Sequence, residues 1–248
     1  MKTLLAAAAP IAAIAALSLA GAAQGAELLA NGTFDAGATG FYSQYNLATT
    51  HDLYPEGAYD VITNPQADHN LFSAFPDHTP GADTGLMMVI NGSGTADKII
   101  WSEGDIGGGT PLLGAANTAF TFSFWVASVY PDSPANLQFW VNGSKVPGVT
   151  FSALGGPDQL GVWQQFSYSG VTGADGLRSI ALTNNNLAPH GNDFALDDLS
   201  LTGVARGVGA VPEPASWALM ILGFGTMGVA LRRRRAQLLD STAASHRA

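Results

Sequence analysis

The sequence predicts an all-β domain between two targeting segments. From residue 27 to residue 203 no stretch shows the apolar periodicity of an amphipathic helix. Short apolar stretches bounded by Gly, Pro, Asn and Asp recur instead, and connections such as 131–135 are short enough to favour antiparallel pairing. A single flat sheet would leave one apolar face in water. We therefore expect a two-sheet antiparallel sandwich of the jelly-roll type.

The expected strands are short apolar or alternating segments of this domain. They are 85–90, 98–103, 119–129, 136–141, 163–168, 179–183 and 193–201. The region 31–83 is rich in aromatic residues, Asp and Pro and alternates weakly, so we expect long loops with two short strands there. Loops of a sandwich usually carry its binding specificity. The Asn-Gly pairs that begin at Asn31, Asn91 and Asn142 predict turns, and N-glycosylation of these Asn-Gly-Ser/Thr triplets is the formal alternative.

The N-terminal segment has the pattern of a secretory leader. Lys2 supplies a positive charge, Leu4–Ala20 is an apolar run rich in alanine, and the small residues of 22–26 offer cleavage sites. We expect a signal peptide at 1–26, export through the Sec machinery and a mature chain that begins near Glu27.

The C-terminal segment combines an apolar run with a basic stop. No charged residue lies between Ala215 and Leu231, and a helix of that length covers about 25 Å, the short end of what spans a membrane. The basic residues that follow are Arg232, Arg233, Arg234 and Arg235. Such clusters stay on the cytoplasmic side. We therefore expect a transmembrane helix within 212–235, a linker at 204–211 and a cytoplasmic tail at 236–248.

A short motif precedes the apolar run. The residues that match the pattern PEPxxWA are Pro212, Glu213, Pro214, Trp217 and Ala218. With the apolar run and the arginines, they resemble the PEP-CTERM sorting signal of Gram-negative bacteria. The resemblance implies recognition by an exosortase, cleavage near the Pro-Glu-Pro triplet and delivery to the cell envelope or the exopolysaccharide matrix. The alternative is an ordinary membrane anchor, because hydropathy and charge alone would look the same.

Composition excludes several partner classes. The chain has a formal net charge of -9, and the exported part is more acidic still because four of the basic residues lie at 232–235. An acidic surface repels phosphate backbones, so we expect no nucleic-acid binding. The chain contains no cysteine, which removes disulfides, thiol nucleophiles and thiolate metal sites.

The domain carries a second resemblance, spread along its length. The segments that carry it are ELLANGTFD at 27–35, TFSFWVAS at 121–128, a strand led by Trp163, and NDFALDDLSL at 192–201. They resemble the carbohydrate-binding modules of the galactose-binding-like jelly-roll group, in particular families 4, 9 and 22. The resemblance implies a jelly roll whose first and last segments lie near each other.

A structural calcium ion is also implied by this resemblance. In that group the opening segment and one Asp of the closing pair commonly hold Ca²⁺, an ion that takes oxygen ligands. Asp35 and Asp197 are the expected ligands, together with the Thr33 carbonyl, and Asp198 is the reserve. Strand alternation places Asp197 and Asp198 on opposite faces. The alternative is that these aspartates only cap turns or lie solvated at strand ends.

Two tryptophans lie on the polar side of their expected strands. Trp125 alternates with phenylalanines, and Trp140 shares its side with two amides. Indole rings beside amides suit polysaccharide binding, because a sugar ring stacks on the indole while its hydroxyls bond the amides. The candidate ligand-binding residues are therefore Trp125, Gln138, Trp140 and Asn142. Further candidates at the rim of the groove are Tyr42, Tyr45 and Tyr54, whereas Trp101 and Trp163 are expected in the core.

No convincing catalytic set is present in the sequence, so we expect a protein that is not an enzyme. The histidines of the domain, which are His51, His69, His78 and His190, lie in loops without the spacing of a zinc site. Glu103 and Asp105 are candidate acids, with a solvated turn as the alternative. The hypotheses are non-catalytic glycan binding, a structural or adhesive role in the exopolysaccharide matrix without a sugar site, and, third, glycoside hydrolysis.

Overall fold

The computed structural model describes residues 27–79, 85–112 and 114–203, with three single positions at 221, 224 and 232. The strands of this part are β1 (Asn46–Leu47), β2 (Ala58–Ile62), β3 (Met87–Asn91), β4 (Ile99–Gly104), β5 (Ala119–Ser128), β6 (Asn136–Val141), β7 (Ser144–Ser152), β8 (Gln164–Val171), β9 (Ser179–Asn184) and β10 (Phe194–Thr202). The prediction of an all-β domain is confirmed.

The expected targeting segments lie outside the described residues, apart from the three single positions. They are the leader 1–26, the linker 204–211, the sorting segment 212–235 and the tail 236–248. Among the residues that the structure describes, no helix has both the length and the apolar character needed to cross a membrane.

The strands form a six-stranded sheet in the order β1-β2-β3-β10-β5-β8 and a four-stranded sheet in the order β4-β9-β6-β7. The pairs β3–β10, β4–β9, β5–β8 and β6–β7 are all antiparallel and are nested along the chain. Nested pairs of this kind, wrapped into two sheets, define a jelly roll, which confirms the predicted architecture. One detail differs, because the two-residue strand β1 pairs parallel with β2.

The main core lies between the two sheets. Every second residue of β5 points inward, where Phe122, Phe124 and Val126 are fully buried. The rings of Phe122 and Phe139 stack with centroids 4.9 Å apart and thereby join β5 to β6 in the opposite sheet. This contact ties the two layers together at the centre of the domain.

A second, smaller core lies on the outer face of the six-stranded sheet. Residues 48–57 and 63–79, which flank β2 and are here called the cover segment, fold back over this face. The buried residues between them, here called the small core, are Ala48, Leu53, Ala58, Ile62, Phe72, Met87, Val89, Val129 and Ala195. The amide of Ser73 donates to the Val129 carbonyl at 2.9 Å and so fixes the segment to the end of β5. Burial on both faces explains why β3 is apolar without alternation.

Strand β7 is the one long strand of the described residues that the sequence did not predict. It contains Pro147 and Gly148, which weaken a strand pattern. The structure accommodates them at the edge of its sheet, where the pairing register with β6 shifts between Gln138 and Trp140. The Gln138 side-chain amide donates to the carbonyls of Val146 and Val149, both at 3.0 Å. A bulge on an edge strand therefore tolerates the Pro-Gly pair.

Candidate functional site

A cavity of about 170 Å³ opens at one end of the sandwich, beside the cover segment. Its walls come from the loops before and after β2, the end of β3, the residue pair after β5 and the loop before β10. The residues that line it are Tyr54, Glu56, His69, Leu71, Phe72, Asn91, Tyr130, Pro189, His190, Gly191 and Asp193. The loops that the sequence offered as a binding surface therefore contribute to it, together with loops from later in the chain.

An aromatic stack forms one wall of the cavity. The Tyr54 and His69 rings lie 4.2 Å apart between centroids, and the His69 and Phe72 rings lie 4.1 Å apart. Phe72 is buried in the small core, whereas Tyr54 keeps 55% of its surface exposed. The stack thus presents the Tyr54 ring to solvent from a base that the small core holds in place.

Two carboxylates and an amide face this stack. Asp193 is buried and its Oδ1 accepts from the Gly92 amide at 2.8 Å. Burial raises the pKa of Asp193 to about 7, and the neighbouring Glu56 carboxylate adds to the shift. The Asn91 side chain donates to the carbonyls of Leu53 and Tyr54 and so holds the Tyr54 loop against β3.

Only Tyr54 of these residues was a sequence candidate. Glu56, His69, Tyr130 and Asp193 were missed, because they belong to four separate loops. No sequence signal joins these residues. Asn91 and Asp193 meet because β3 pairs antiparallel with β10, which brings the end of one strand beside the start of the other.

Trp125 lies on the outer face of the six-stranded sheet, where the cover segment already occupies one side of its ring. The His78 imidazole stacks on it with centroids 3.7 Å apart. The His78 amide donates to Asp197 Oδ2 at 2.8 Å, and His78 Nδ1 lies 2.7 Å from Asp198 Oδ2. Three contacts therefore hold His78 over Trp125.

The other three candidates lie on the opposite sheet. Trp140 points outward from the four-stranded sheet and donates from Nε1 to the Thr183 hydroxyl at 2.9 Å. Lys145 Nζ lies 5.3 Å from the centre of the Trp140 ring. The structure thus separates Trp125 and Trp140 on opposite outer faces, so they form no common platform. The reason is that β5 and β6 are consecutive in the chain but belong to different sheets.

The two amides of this set are occupied by the backbone. Gln138 binds the carbonyls of the β7 bulge, as described above. Asn142 lies in the turn between β6 and β7, where it and Gly143 adopt φ values of 50° and 75°, as the Asn-Gly pair predicts. Its Oδ1 accepts from the amides of Arg178 and Ser179 at 2.8 and 3.2 Å. Both side chains hold neighbouring strands together.

The remaining aromatic candidates are distributed over the domain. Trp101 is fully buried in the main core, as expected, and Tyr45 is also buried. Tyr42 is partly exposed, bridges to β4 through Ser102 and lines a different cavity, of about 490 Å³, together with Glu103. Trp163 is not in the main core but packs against the small core and donates from Nε1 to the Pro76 carbonyl at 3.3 Å.

The closing aspartates do not alternate as the sequence predicts. The register of β10 shifts between Asp197 and Ser200, and Asp198 has a φ of 48°. This bulge turns Asp198 back to the side of Asp197, so that both carboxylates contact His78. The expectation that they lie on opposite faces is wrong for this reason.

Asp77 joins the expected calcium ligands to one another. The Thr79 amide donates to Asp77 Oδ2 and the Thr79 hydroxyl donates to Asp198 Oδ1, both at 3.2 Å, so Thr79 bridges these two carboxylates. Burial raises the pKa of Asp77, and the carboxylates of Asp35 and Asp198 add to the shift. Burial raises the pKa of Asp197 to about 7, with Asp198 and Asp77 adding to the shift. Asp77 Oδ1 is buried without a hydrogen-bond partner. A cation is one group that could satisfy this oxygen.

A different group meets the geometric requirement of a metal site within the described part of the chain. His51, Asp60 and Asp68 each place one ligand atom within 4.8 Å of the others. His51 Nδ1 lies 2.8 Å from Asp60 Oδ2 and 3.5 Å from Asp68 Oδ2. The sequence analysis missed it, because neither the zinc spacing of histidines nor the calcium-loop spacing of aspartates describes these three residues.

The acidic candidates for catalysis have structural partners. Arg178 contacts the Asp105 carboxylate. Both oxygens of Glu103 lie 3.3 Å from the Ala30 amide, which donates to them and docks the opening segment on β4. Burial raises the pKa of Glu103 to about 7, with a smaller contribution from the Glu27 carboxylate.

The C-terminal motif is matched by a known family. Residues 210–235 match the family described as the PEP-CTERM protein-sorting motif. The chain carries a PEP-CTERM sorting signal. This signal implies export, a membrane-anchored precursor and processing by an exosortase. No curated protein matches the chain at a significant level.

Solved structures resemble the domain at low sequence identity. The CBM22-1 xylan-binding domain from Paenibacillus barcinonensis Xyn10C is 15% identical, with 73% of this chain and 96% of that chain covered and a TM-score of 0.45. A family 16 carbohydrate-binding module is 13% identical, with 71% and 99% covered and a TM-score of 0.37. A cyclase from Fischerella sp. TAU is 11% identical, with 74% and 100% covered and a TM-score of 0.45. These values support no transfer of a ligand or an activity to this chain.

The raised pKa of Glu103 predicts how the stability of the fold depends on pH. Its native pKa of about 7 lies above the usual 4.5, so the folded state holds a proton that the unfolded chain has released. The resulting stabilisation is complete below the unfolded pKa and is lost as the pH rises through about 7. Glu103→Gln should therefore flatten the fall in unfolding free energy between about pH 5 and pH 7, by about 1 kcal/mol.

Urea unfolding at several pH values measures this slope. Asp132→Asn, which changes an exposed carboxylate, is the matched control and should keep the slope of the parent chain. Equal slopes in the parent and in Glu103→Gln would contradict the assignment.

Proposed function

We propose that this protein is an exported, exosortase-sorted component of the cell envelope or the exopolysaccharide matrix whose jelly-roll domain binds glycan without cleaving it. The leader at 1–26 directs export through the Sec machinery, the domain spans 27–203, and a linker at 204–211 connects it to the sorting signal at 212–235. The tail at 236–248 stays in the cytoplasm until the exosortase cuts near the Pro-Glu-Pro triplet.

The observation that carries the binding proposal is the exposed Tyr54 ring above a cavity lined by carboxylates. A sugar ring stacks its C–H face on an aromatic side chain, and its hydroxyls donate to Glu56 and Asp193. The cavity, at about 170 Å³, is smaller than the pockets of about 300–1,000 Å³ that hold drug-sized ligands. It therefore suits one sugar unit at a chain end or branch rather than a long stretch of polymer.

The charge of the domain narrows the class of glycan. An acidic surface disfavours uronate-rich and sulfated polymers, because like charges repel at the binding face. Neutral polysaccharides and those with amino sugars fit this surface better.

The indoles that the sequence singled out remain candidates for secondary contacts. Trp140 is accessible on its outer face beside Lys145. Trp125 is partly exposed, but the His78 imidazole already stacks on its ring. We place the primary contact at Tyr54, because there an exposed ring and two carboxylates line the same cavity.

Glycoside hydrolysis is the second candidate, favoured by the raised pKa of Asp193 next to Glu56. A protonated acid beside a second carboxylate is the pair that such chemistry uses. Against it, Asp193 already accepts from the Gly92 amide, which gives the buried carboxyl a structural role. A purely structural or adhesive role in the matrix is the alternative if no glycan binds.

Tyr54→Ala tests the binding site, with Tyr54→Phe as the matched variant that keeps the ring. The full chain, in a detergent without a sugar headgroup, is applied to an array of neutral, amino-sugar and acidic polysaccharides. We expect Tyr54→Ala to weaken binding at least about tenfold, which corresponds to about 1.4 kcal/mol, and Tyr54→Phe to retain most of it.

Reducing ends are measured in the same samples. Binding without release of reducing ends is the expected result, whereas their release would support a hydrolase. If Tyr54→Ala bound glycan as tightly as Tyr54→Phe, the result would contradict binding at this cavity. If the parent chain bound no glycan, the result would favour the structural role.

We also propose that Asp35, Asp77 and Asp197 hold a structural Ca²⁺ ion. The carboxylates fit the preference of this ion for oxygen ligands, and the unpartnered Oδ1 of Asp77 gives it a buried attachment point. Such an ion would fasten the opening segment and the end of the cover segment to β10.

Thermal unfolding with and without a calcium chelator tests this site. A ligand that binds only the folded state stabilises it by about 2.7 kcal/mol at a hundredfold excess over Kd, so Ca²⁺ should raise the melting midpoint by several degrees. Asp197→Asn should abolish this rise, and Asp132→Asn should preserve it. An unchanged midpoint in the parent chain would contradict a calcium site.

A further inference from the structure

The cover segment approaches β2 at a group of three polar side chains that the proposed function does not use. His51 lies near the start of the cover segment, Asp60 lies in β2, and Asp68 follows the 3₁₀ turn Pro65–Ala67. Their ligand atoms lie within 4.8 Å of one another. Residues separated along the chain thus converge at one point between the segment and the sheet.

The Asp68 carboxylate has one buried oxygen without a hydrogen-bond partner among the described residues. Its side chain is 5% exposed, and its Oδ2 is buried without a hydrogen bond. This atom points toward the group, because it lies 3.5 Å from His51 Nδ1. A buried carboxylate oxygen without a hydrogen bond carries a desolvation penalty, which a bound cation would offset.

The distances also suit a metal ion after a small adjustment. Zinc bonds of about 2.0–2.2 Å in tetrahedral geometry separate two ligand atoms by about 3.3 Å. The separations from His51 Nδ1 are 2.8 Å to Asp60 and 3.5 Å to Asp68, on either side of that value. An ion would replace the direct contact between His51 Nδ1 and Asp60 Oδ2.

The ligand types select the class of ion. Ca²⁺ and Mg²⁺ take oxygen ligands, whereas one imidazole with two carboxylates suits Zn²⁺ and related transition metals. The His51 side chain is 70% exposed, which leaves room for water as a further ligand. The group has therefore the composition of an accessible transition-metal site.

We propose that His51, Asp60 and Asp68 bind a divalent transition-metal cation, with Zn²⁺ as the best-suited ion, and that the bound ion fastens the cover segment to β2. The ion would join three points of the chain that the small core and the hydrogen bonds around it now hold. Because His69 follows Asp68 directly and lines the cavity, the ion would also stabilise the wall that carries Tyr54. The proposal does not depend on glycan binding.

Zinc titration of the full chain tests the proposal directly. The protein carries no polyhistidine tag, is stripped with a chelator and is then titrated with Zn²⁺, Mn²⁺ or Ca²⁺ in a calorimeter while metal content is counted by mass spectrometry. We expect one Zn²⁺ per chain with micromolar or tighter affinity, and a higher melting midpoint with the ion bound. Asp197→Asn should keep this zinc binding, which separates the site from the calcium site.

Two variants and one control decide the ligand set. His51→Ala and Asp68→Asn should each weaken zinc binding at least tenfold, whereas Asp52→Asn, a neighbouring exposed carboxylate, should leave it unchanged. His51 is largely exposed, so His51→Ala decides the matter even if Asp68→Asn fails to fold. The proposal is overturned if the parent chain takes up no stoichiometric Zn²⁺, if it binds Ca²⁺ alone at this group, or if His51→Ala binds as tightly as the parent.

Discussion

The docking of the cover segment on the six-stranded sheet is the contact on which the rest of the molecule depends. This sheet is apolar on both faces, so the jelly roll alone would leave Met87, Val89 and Ala195 in water. Leu53 and Phe72 of the cover segment close that face and form the small core with them. The domain is therefore three layers deep where the segment lies, although its fold has only two sheets.

Each candidate site lies along an edge of this docked segment. The small core holds Phe72, which supports His69 and through it the exposed ring of Tyr54. The same segment brings Asp68 to β2 and ends with His78 on the ring of Trp125. The proposed glycan site, the proposed metal site and the coverage of Trp125 thus depend on one packing contact. A change that loosens the small core would disturb all three together.

Features that depend on strand alternation or on a contiguous motif were predicted from the sequence. Contacts between segments that are distant in the chain were not. Alternation correctly predicted the outward direction of Trp125 and Trp140, but it could not show that their strands belong to opposite sheets. The bulge at Asp198 was not predictable, because a single residue in the left-handed region leaves no mark on the apolar pattern. Asp60 and Asp68 meet His51 only after the cover segment has docked, and no spacing rule describes that contact. The sorting signal was predicted from a contiguous motif, which needs no tertiary structure.

Hydrogen exchange of the amides that hold the cover segment tests the account most directly. The amides of Leu53 and Ser73 donate to the carbonyls of Asp68 and Val129 at 3.2 and 2.9 Å. If the segment is a fixed layer, these amides should be protected to within about tenfold of those in β3, because they open only with the sheet beneath them. Exchange of Leu53 and Ser73 at the rate of an unstructured peptide, with β3 still protected, would contradict the docked layer and the sites built on it.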